Sequence, residues 1–122
     1  KMDNSLAGAL VGHCIGDYLI QNDWMALNKK KRTWPCLVHV TLYTLAVMHY
    51  SGWEYHDQAP AIAAAVFIPH FLIDRSQFVK WYMGVIGQSS FAQPPMAPWS
   101  FVAVDNTMHF LCLWVVAKFL EG

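Results

Sequence analysis

The chain of 122 residues is long enough for one domain and is unusually apolar. Hydrophobic residues make up 56% and charged residues 13%, against roughly 25% charged residues in an ordinary soluble domain. Lys+Arg and Asp+Glu number 8 each, so the balance of charge does not favour a nucleic-acid partner. We therefore expect a single integral-membrane domain over residues 1–122, with the lipid bilayer as its surroundings.

Four apolar segments follow one another along the chain, separated by polar connections. They cover about Ser5–Leu27, Pro35–Gly52, Ala59–Ile86 and Trp99–Leu120. Each supplies the roughly 20 residues of a membrane span, provided that the bundle interior tolerates the His and Asp residues within it. The pattern predicts an all-α fold, a four-helix transmembrane bundle. Residues 88–98 are then either a connector or a lid over the site.

The basic residues predict how the bundle is oriented, because basic loops stay on the cytoplasmic side of a membrane. Both clusters of basic residues fall on the same predicted side. We therefore expect a multi-pass protein of the inner (cytoplasmic) membrane, with its basic loop facing the cytoplasm and both termini outside. The clusters are Lys29, Lys30, Lys31 and Arg32 after the first segment, and Arg75 with Lys80 in the third.

A set of His and Asp residues interrupts the apolar segments. Three segments carry a His and an Asp four residues apart, which places each pair on one face of a helix. Because successive helices run in opposite directions, the whole set falls at one depth, in the cytoplasmic half of the bundle. Ionisable groups inside a membrane usually mark function. The set consists of His13, Asp17, His39, His70, Asp74, Asp105 and His109.

Imidazole and carboxylate together suit divalent zinc, manganese or iron. Seven ligands exceed the need of one tetrahedral ion and fit two ions bridged by a carboxylate. Two ions roughly 4 Å apart activate a water and stabilise both oxygens of a displacement. We expect a metal-dependent hydrolase of a phosphate ester or anhydride, either a nucleotide or a lipid headgroup. The predicted catalytic residues are Asp17, Asp74 and Asp105, with an orienting role as the alternative for Asp17.

The polar residues beside the predicted mouth of the site are candidates for binding a small phosphorylated substrate. Lys and Arg hold phosphate well, although any cytoplasmic loop is rich in both. Tyr43 follows His39 by one turn and either hydrogen-bonds into the site or is a core aromatic residue. The substrate-binding candidates are Gln21, Lys29, Lys30, Lys31, Arg32 and Arg75.

Small residues recur on the first segment at Gly8, Gly12 and Gly16. This spacing lets membrane helices approach closely. It predicts a packing face on the first helix, and a homo-oligomer interface is the less favoured interpretation.

Three functions other than a hydrolase fit the same residues. Chains of Asp and His also act as relays in membranes, so a metal-ion or proton transporter or channel is the main alternative. Two His residues could hold a haem, although the Asp residues argue against it. A non-enzymatic phage membrane protein with a structural metal site is the last alternative.

The order of these residues resembles a family of small bacterial and bacteriophage polytopic membrane proteins classed as a domain of unknown function. The resemblance covers nearly the whole chain and implies an inner-membrane protein, without supplying an activity. More loosely, the pattern is similar to bacterial membrane-bound metal-dependent hydrolases. In the family a Gln commonly follows the last Asp, whereas this chain has Asn106. The resemblance rests on His13-x3-Asp17-x3-Gln21-x2-Trp24-x-Ala26, His39-x3-Tyr43, His70-x2-Ile73-Asp74 and Asp105-x3-His109.

Overall fold

The computed structural model describes residues 4–121, and every regular element in that range is helical. The all-α prediction is therefore confirmed, while residues 1–3 and 122 of the predicted domain lie outside the described residues. The elements are α1 (Ser5–Cys14), a π-helical turn (Ile15–Leu19), α2 (Asp23–Asn28), α3 (Thr33–Ser51), a 3-10 turn (Trp53–Tyr55), α4 (Ala59–Arg75), α5 (Phe78–Val85) and α6 (Trp99–Glu121).

The helices do not match four unbroken membrane spans. Within residues 4–121, α6 is the one helix long and apolar enough to cross a membrane by itself. The predicted third span breaks after α4, and α5 leaves at an angle of 74°. The Ser76 hydroxyl donates to the carbonyl of Leu72 at 2.6 Å and accepts from the backbone N–H of Phe78 at 3.3 Å. Ser76 thus ends one helix and begins the next, which sequence periodicity did not indicate.

The predicted first span is also divided. The backbone N–H of Ile20 donates to the carbonyl of Ile15 at 3.1 Å, which closes a π turn rather than an α turn. A new helix, α2, then starts at Asp23, and the side chain of the capping residue Asn22 accepts from the backbone N–H of Met25 at 3.0 Å. The segment Ser5–Leu27 is therefore a helix, a π turn and a separate short helix.

The glycine face of α1 packs on α3 within the chain. A Cβ atom on Gly12 would lie 2.6 Å from the Cα of Val47, and one on Gly16 would lie 2.8 Å from the Cδ2 of Tyr43. Gly8 likewise lies against the backbone of Tyr50. The predicted close packing is therefore present, with α3 against this face within the chain. The less favoured homo-oligomer interface through Gly8, Gly12 and Gly16 stays a prediction.

Two apolar clusters hold the helices around the site. The larger one joins α1, α3, α4 and α6 and contains Tyr43, Val47 and Leu113. The smaller one packs α5 and the 88–98 segment onto α6 through Val79, Met83 and Phe91. Residues 88–98 form a series of turns, and Phe91 and Ala92 pack this segment against α5 and α6. The His and Asp residues lie between the two clusters.

Candidate metal centre

Four of the predicted ligands form one buried group, here called the first ligand group: Asp17, His39, His70 and Asp74. Each offers an atom, and these atoms all lie within 4.8 Å of one another. The Nε2 atom of His70 lies 2.9 Å from Oδ2 of Asp74. His39 and Asp74 are each 1% exposed. The group combines two imidazoles and two carboxylates, a donor set that suits a divalent transition metal.

The environment of His39 tests whether these residues fit a metal ion. Its Nε2 atom lies 3.1 Å from Oδ1 of Asp17, 3.0 Å from Oδ2 of Asp74 and 3.3 Å from Nε2 of His70. One ring nitrogen carries at most one proton, so hydrogen bonds cannot satisfy all three neighbours. Oδ1 of Asp17 is buried and makes no hydrogen bond. A cation among these atoms would satisfy them together, so the residues fit a metal.

A second ligand group shares Asp17 with the first and adds Asp105 and His109. The Nε2 atom of His109 lies 3.3 Å from Oδ1 of Asp105 and 3.2 Å from Oδ1 of Asp74. Asp74 therefore faces the first group with Oδ2 and the second with Oδ1. The arrangement offers two neighbouring positions with carboxylates between them. Six of the seven predicted ligands meet in this way.

The π turn brings Asp17 to the junction of the two groups. An inserted residue shifts the side chains that follow it around the helix axis, and such π turns often occur at functional sites. The close approach of α1 to α3 at Gly12 and Gly16 then places Asp17 within reach of His39. Asp17 is 8% exposed, at the boundary between the buried groups and the surface.

The seventh predicted ligand, His13, is engaged elsewhere. Its Nδ1 atom lies 2.8 Å from the Tyr43 hydroxyl, and its Nε2 atom lies 3.0 Å from Oδ1 of Asn106. The amide nitrogen of Asn106 donates to the hydroxyl of Tyr18. These hydrogen bonds fit a neutral His13 that accepts from the hydroxyl of Tyr43 and donates to the amide oxygen of Asn106. Both ring nitrogens are used, and Nε2 also lies 3.5 Å from Oδ2 of Asp17, so His13 borders the ligand groups without belonging to either. Its role as a ligand stays a prediction.

Lys29 reaches the centre from the loop between α2 and α3. Its ammonium group lies 3.3 Å from Oδ2 of Asp74, and its side chain is 16% exposed. Burial has the largest single effect and disfavours the charge, but the carboxylates of Asp74, Asp17 and Asp105 together outweigh it and hold the pKa of Lys29 above its ordinary value. Lys29 is therefore a cation at the edge of the first ligand group.

The other predicted basic residues have different positions. Lys30 donates to the carbonyls of Ile73, Asp74 and Ser76 at 3.1 to 3.3 Å, and so caps the end of α4. Arg75 donates through Nη1 to the carbonyl of Lys30 at 2.8 Å. These contacts hold the loop against α4, and substrate binding by Lys30 or Arg75 stays a prediction.

An open pocket of about 540 Å³, here called the reaction pocket, adjoins the centre. Asp17 and Asp105 form part of its lining, whereas Asp74 does not. Predicted substrate residues Lys31 and Arg32 are exposed and lie outside it. The 88–98 segment contributes Ala92 and Gln93, so it is a wall of this pocket. The polar side chains that line it are Asp17, Tyr18, Gln21, Lys29, Lys30, Gln77, Lys80, Gln93 and Asp105.

Several polar residues of the pocket or the centre were not predicted from the sequence, among them Tyr18, Lys80 and Asn106. Tyr18 and Asn106 each directly follow a predicted ligand, and adjacency to Asp17 and Asp105 was the available signal. Lys80 lines the pocket from α5, and the break between α4 and α5 that brings it there left no sequence signal. Gln21 was correctly placed beside Asp17: its Nε2 donates to the Asp17 carbonyl at 3.0 Å.

Residues 6–121 match the family described as protein of unknown function (DUF3307), so the chain belongs to that family. Neither the curated proteins nor the solved structures contain a match to this chain.

Proposed function

We propose that this member of the DUF3307 family is a membrane-embedded, dinuclear metal-dependent hydrolase of phosphate esters or anhydrides. The observation that carries the proposal is the pair of ligand groups that share Asp17 beside a pocket lined by lysines. Carboxylates between two neighbouring positions suit two divalent ions, and zinc, manganese and iron all accept this mixture of oxygen and nitrogen donors. Two such ions, when bound, supply an activated water and neutralise charge on the phosphate.

The protein's own residues supply the rest of the chemistry. Lys29 and Lys80 line the pocket and can hold the phosphate oxygens of a substrate. Hydrolysis transfers the phosphoryl group to water and leaves the ester oxygen as an alcohol, so one proton must leave the water and one must reach the alcohol. Asp105 is 24% exposed and lines the pocket, which suits it to take the first proton. Tyr18 accepts from Asn106, which leaves its hydroxyl proton free to donate into the pocket.

The membrane setting is part of the same proposal. Support comes from α6, whose length and composition suit a span, and from the bent pair α4 and α5. Exposed apolar side chains such as Leu45 on α3 and Val11 on α1 also suit lipid contact. With four crossings, the Lys29–Arg32 loop would face the cytoplasm, and the reaction pocket would open on that side.

The experiment that tests the hydrolase combines metal analysis with activity. The detergent-purified protein would be loaded with zinc, manganese or iron and assayed for phosphatase and phosphodiesterase activity on nucleotides, lipid phosphates and chromogenic esters. Asp17→Asn should abolish turnover, because it weakens both ligand groups while keeping the side chain's size. The matched control is His49→Gln, because His49 is exposed and pairs with Glu54 away from the centre.

Two results would contradict the proposal. Full turnover in Asp17→Asn would remove Asp17 from the catalytic centre. Metal or proton flux through liposomes that contain the protein, without turnover of any ester, would favour a transporter. The apolar cluster around Tyr43, Val47 and Leu113, packed on one side of the centre, argues against such a path.

A further inference from the structure

We infer that the substrate is a phosphorylated amphiphile whose phosphate enters the reaction pocket while its hydrocarbon chain lies in an apolar groove between α5, residues 88–98 and α6. The phosphate's role in turnover rests on the proposed function. Binding of the hydrocarbon chain in the groove does not depend on turnover.

The groove has a volume of about 550 Å³, here called the α5–α6 groove. None of its lining residues within the described chain is charged. A phosphate would find no cationic partner in it, whereas a hydrocarbon chain would lose its contact with water there. The side chains that make it apolar are Phe78, Tyr82, Phe91, Val104, Met108 and Leu111.

The groove and the reaction pocket share α5, residues 88–98 and α6, and the pocket is also lined from the π turn and the loop after α2. Phe91 lines the groove and Ala92 the pocket, and Val102 lines the pocket while Ala103 lines the groove. None of the described residues lines both sites, so the two sites lie on different faces of the same segments, α6 and residues 88–98. A ligand with a charged head and a hydrocarbon chain fits this pair of sites. Its head would bind in the reaction pocket beside the lysines, and its hydrocarbon chain would lie in the uncharged groove. A nucleotide offers no apolar chain for the groove.

The position of α5 indicates that the hydrocarbon chain of the substrate comes from a bilayer. This helix turns away from α4 by 74°, so if α4 crosses the bilayer, α5 lies closer to its surface. Val79 and Met83 are buried, while Trp81 and Val85 are more than half exposed. Tryptophan beside lysine, as at Lys80, is typical of a helix at the membrane interface. A lipid phosphate at that interface could reach the pocket without leaving the membrane.

A second apolar groove, between α4 and α6, provides a matched control. It is lined by Ala65, Ile68 and Val115 among others, and no predicted ligand or lysine lines it. Ala103 and Ala65 are both exposed residues of helices, so a tryptophan at either fills one groove without entering the core. Ala103 precedes Asp105 by two residues and therefore projects from a different face of α6.

The test uses the full chain in lipid nanodiscs and hexadecyl phosphate with a diazirine at the end of its chain. After irradiation, mass spectrometry maps the labelled residues. We expect labels on the α5–α6 groove, competed by unlabelled hexadecyl phosphate and not by hexadecanol. Ala103→Trp should reduce this labelling roughly tenfold, because overpacking an apolar site typically costs that much in binding. Ala65→Trp should leave it unchanged.

Turnover of hexadecyl phosphate and butyl phosphate separates this inference from the proposed function. We expect Ala103→Trp to lower kcat/KM for the long-chain ester and to spare the short-chain ester. Phosphate-dependent labelling of the groove without turnover of either ester would support the lipid site and contradict the hydrolase. Turnover of both esters with labelling insensitive to Ala103→Trp would support the hydrolase and overturn the lipid site. Labelling concentrated in the α4–α6 groove would also overturn it.

Discussion

The approach of α1 to α3 at Gly12 sets the distance between Asp17 and His39, and Gly12→Ala tests that link. The new Cβ atom would lie 2.6 Å from the Cα of Val47, a backbone atom that cannot rotate away. The matched control is Gly84→Ala, because a Cβ atom on Gly84 would have no neighbour within 4 Å. Both changes gain the same helix propensity of about 1 kcal/mol, which cancels in the comparison.

The difference between the two variants therefore isolates the helix contact. Overpacking of this kind costs about 1–3 kcal/mol, so Gly12→Ala should be less stable than Gly84→Ala by that amount. Unfolding in mixed micelles, followed by tryptophan fluorescence, measures the free energy of unfolding of each. Because α1 would move away from α3, the metal affinity of Gly12→Ala should also fall. Equal stability and equal metal affinity in the two variants would show that the contact at Gly12 does not position the metal centre.

Three further substitutions test contacts around the centre. Tyr43→Phe removes the hydroxyl that donates to His13 and should cost about 1 kcal/mol in the free energy of unfolding, measured in the same micelles. Lys30→Met removes the cap of α4 and should lower stability by about 1 kcal/mol in thermal unfolding followed by circular dichroism; an unchanged midpoint would contradict the capping role. His49→Gln removes only the exposed pair with Glu54 and should change stability by less than about 0.5 kcal/mol, with metal content intact.

The four-residue spacing of His and Asp predicted most of the centre. A His and an Asp one turn apart share a helix face wherever the helix is regular, so His70 with Asp74 and Asp105 with His109 could be placed from sequence alone. Their convergence in one group was also predicted, from the expected alternation of helix directions. The spacing could not distinguish a ligand from an orienting residue: His13 has the same relation to Asp17, yet it bonds to Tyr43 and Asn106.

The breaks in the apolar segments could not be predicted in the same way. The π turn before Ile20 and the helix end at Ser76 depend on hydrogen bonds that apolar periodicity does not encode. The cap that Lys30 places on α4 joins residues more than forty positions apart, so no local pattern reveals it. Basic residues in a loop signal the side of a membrane, and that signal is the same whether a lysine binds substrate or a helix end.

The most direct test of the metal centre is elemental analysis of the purified protein beside the double variant Asp74→Ala/His109→Ala, with His49→Gln as the control. We expect about two equivalents of zinc, manganese or iron per chain in the wild type and the control, since two ligand groups share Asp17. The double variant, which loses a ligand from each group, should lose the metal while retaining its helical circular dichroism. No bound metal in the wild type after incubation with these ions, or an unchanged metal content in the folded double variant, would contradict the account.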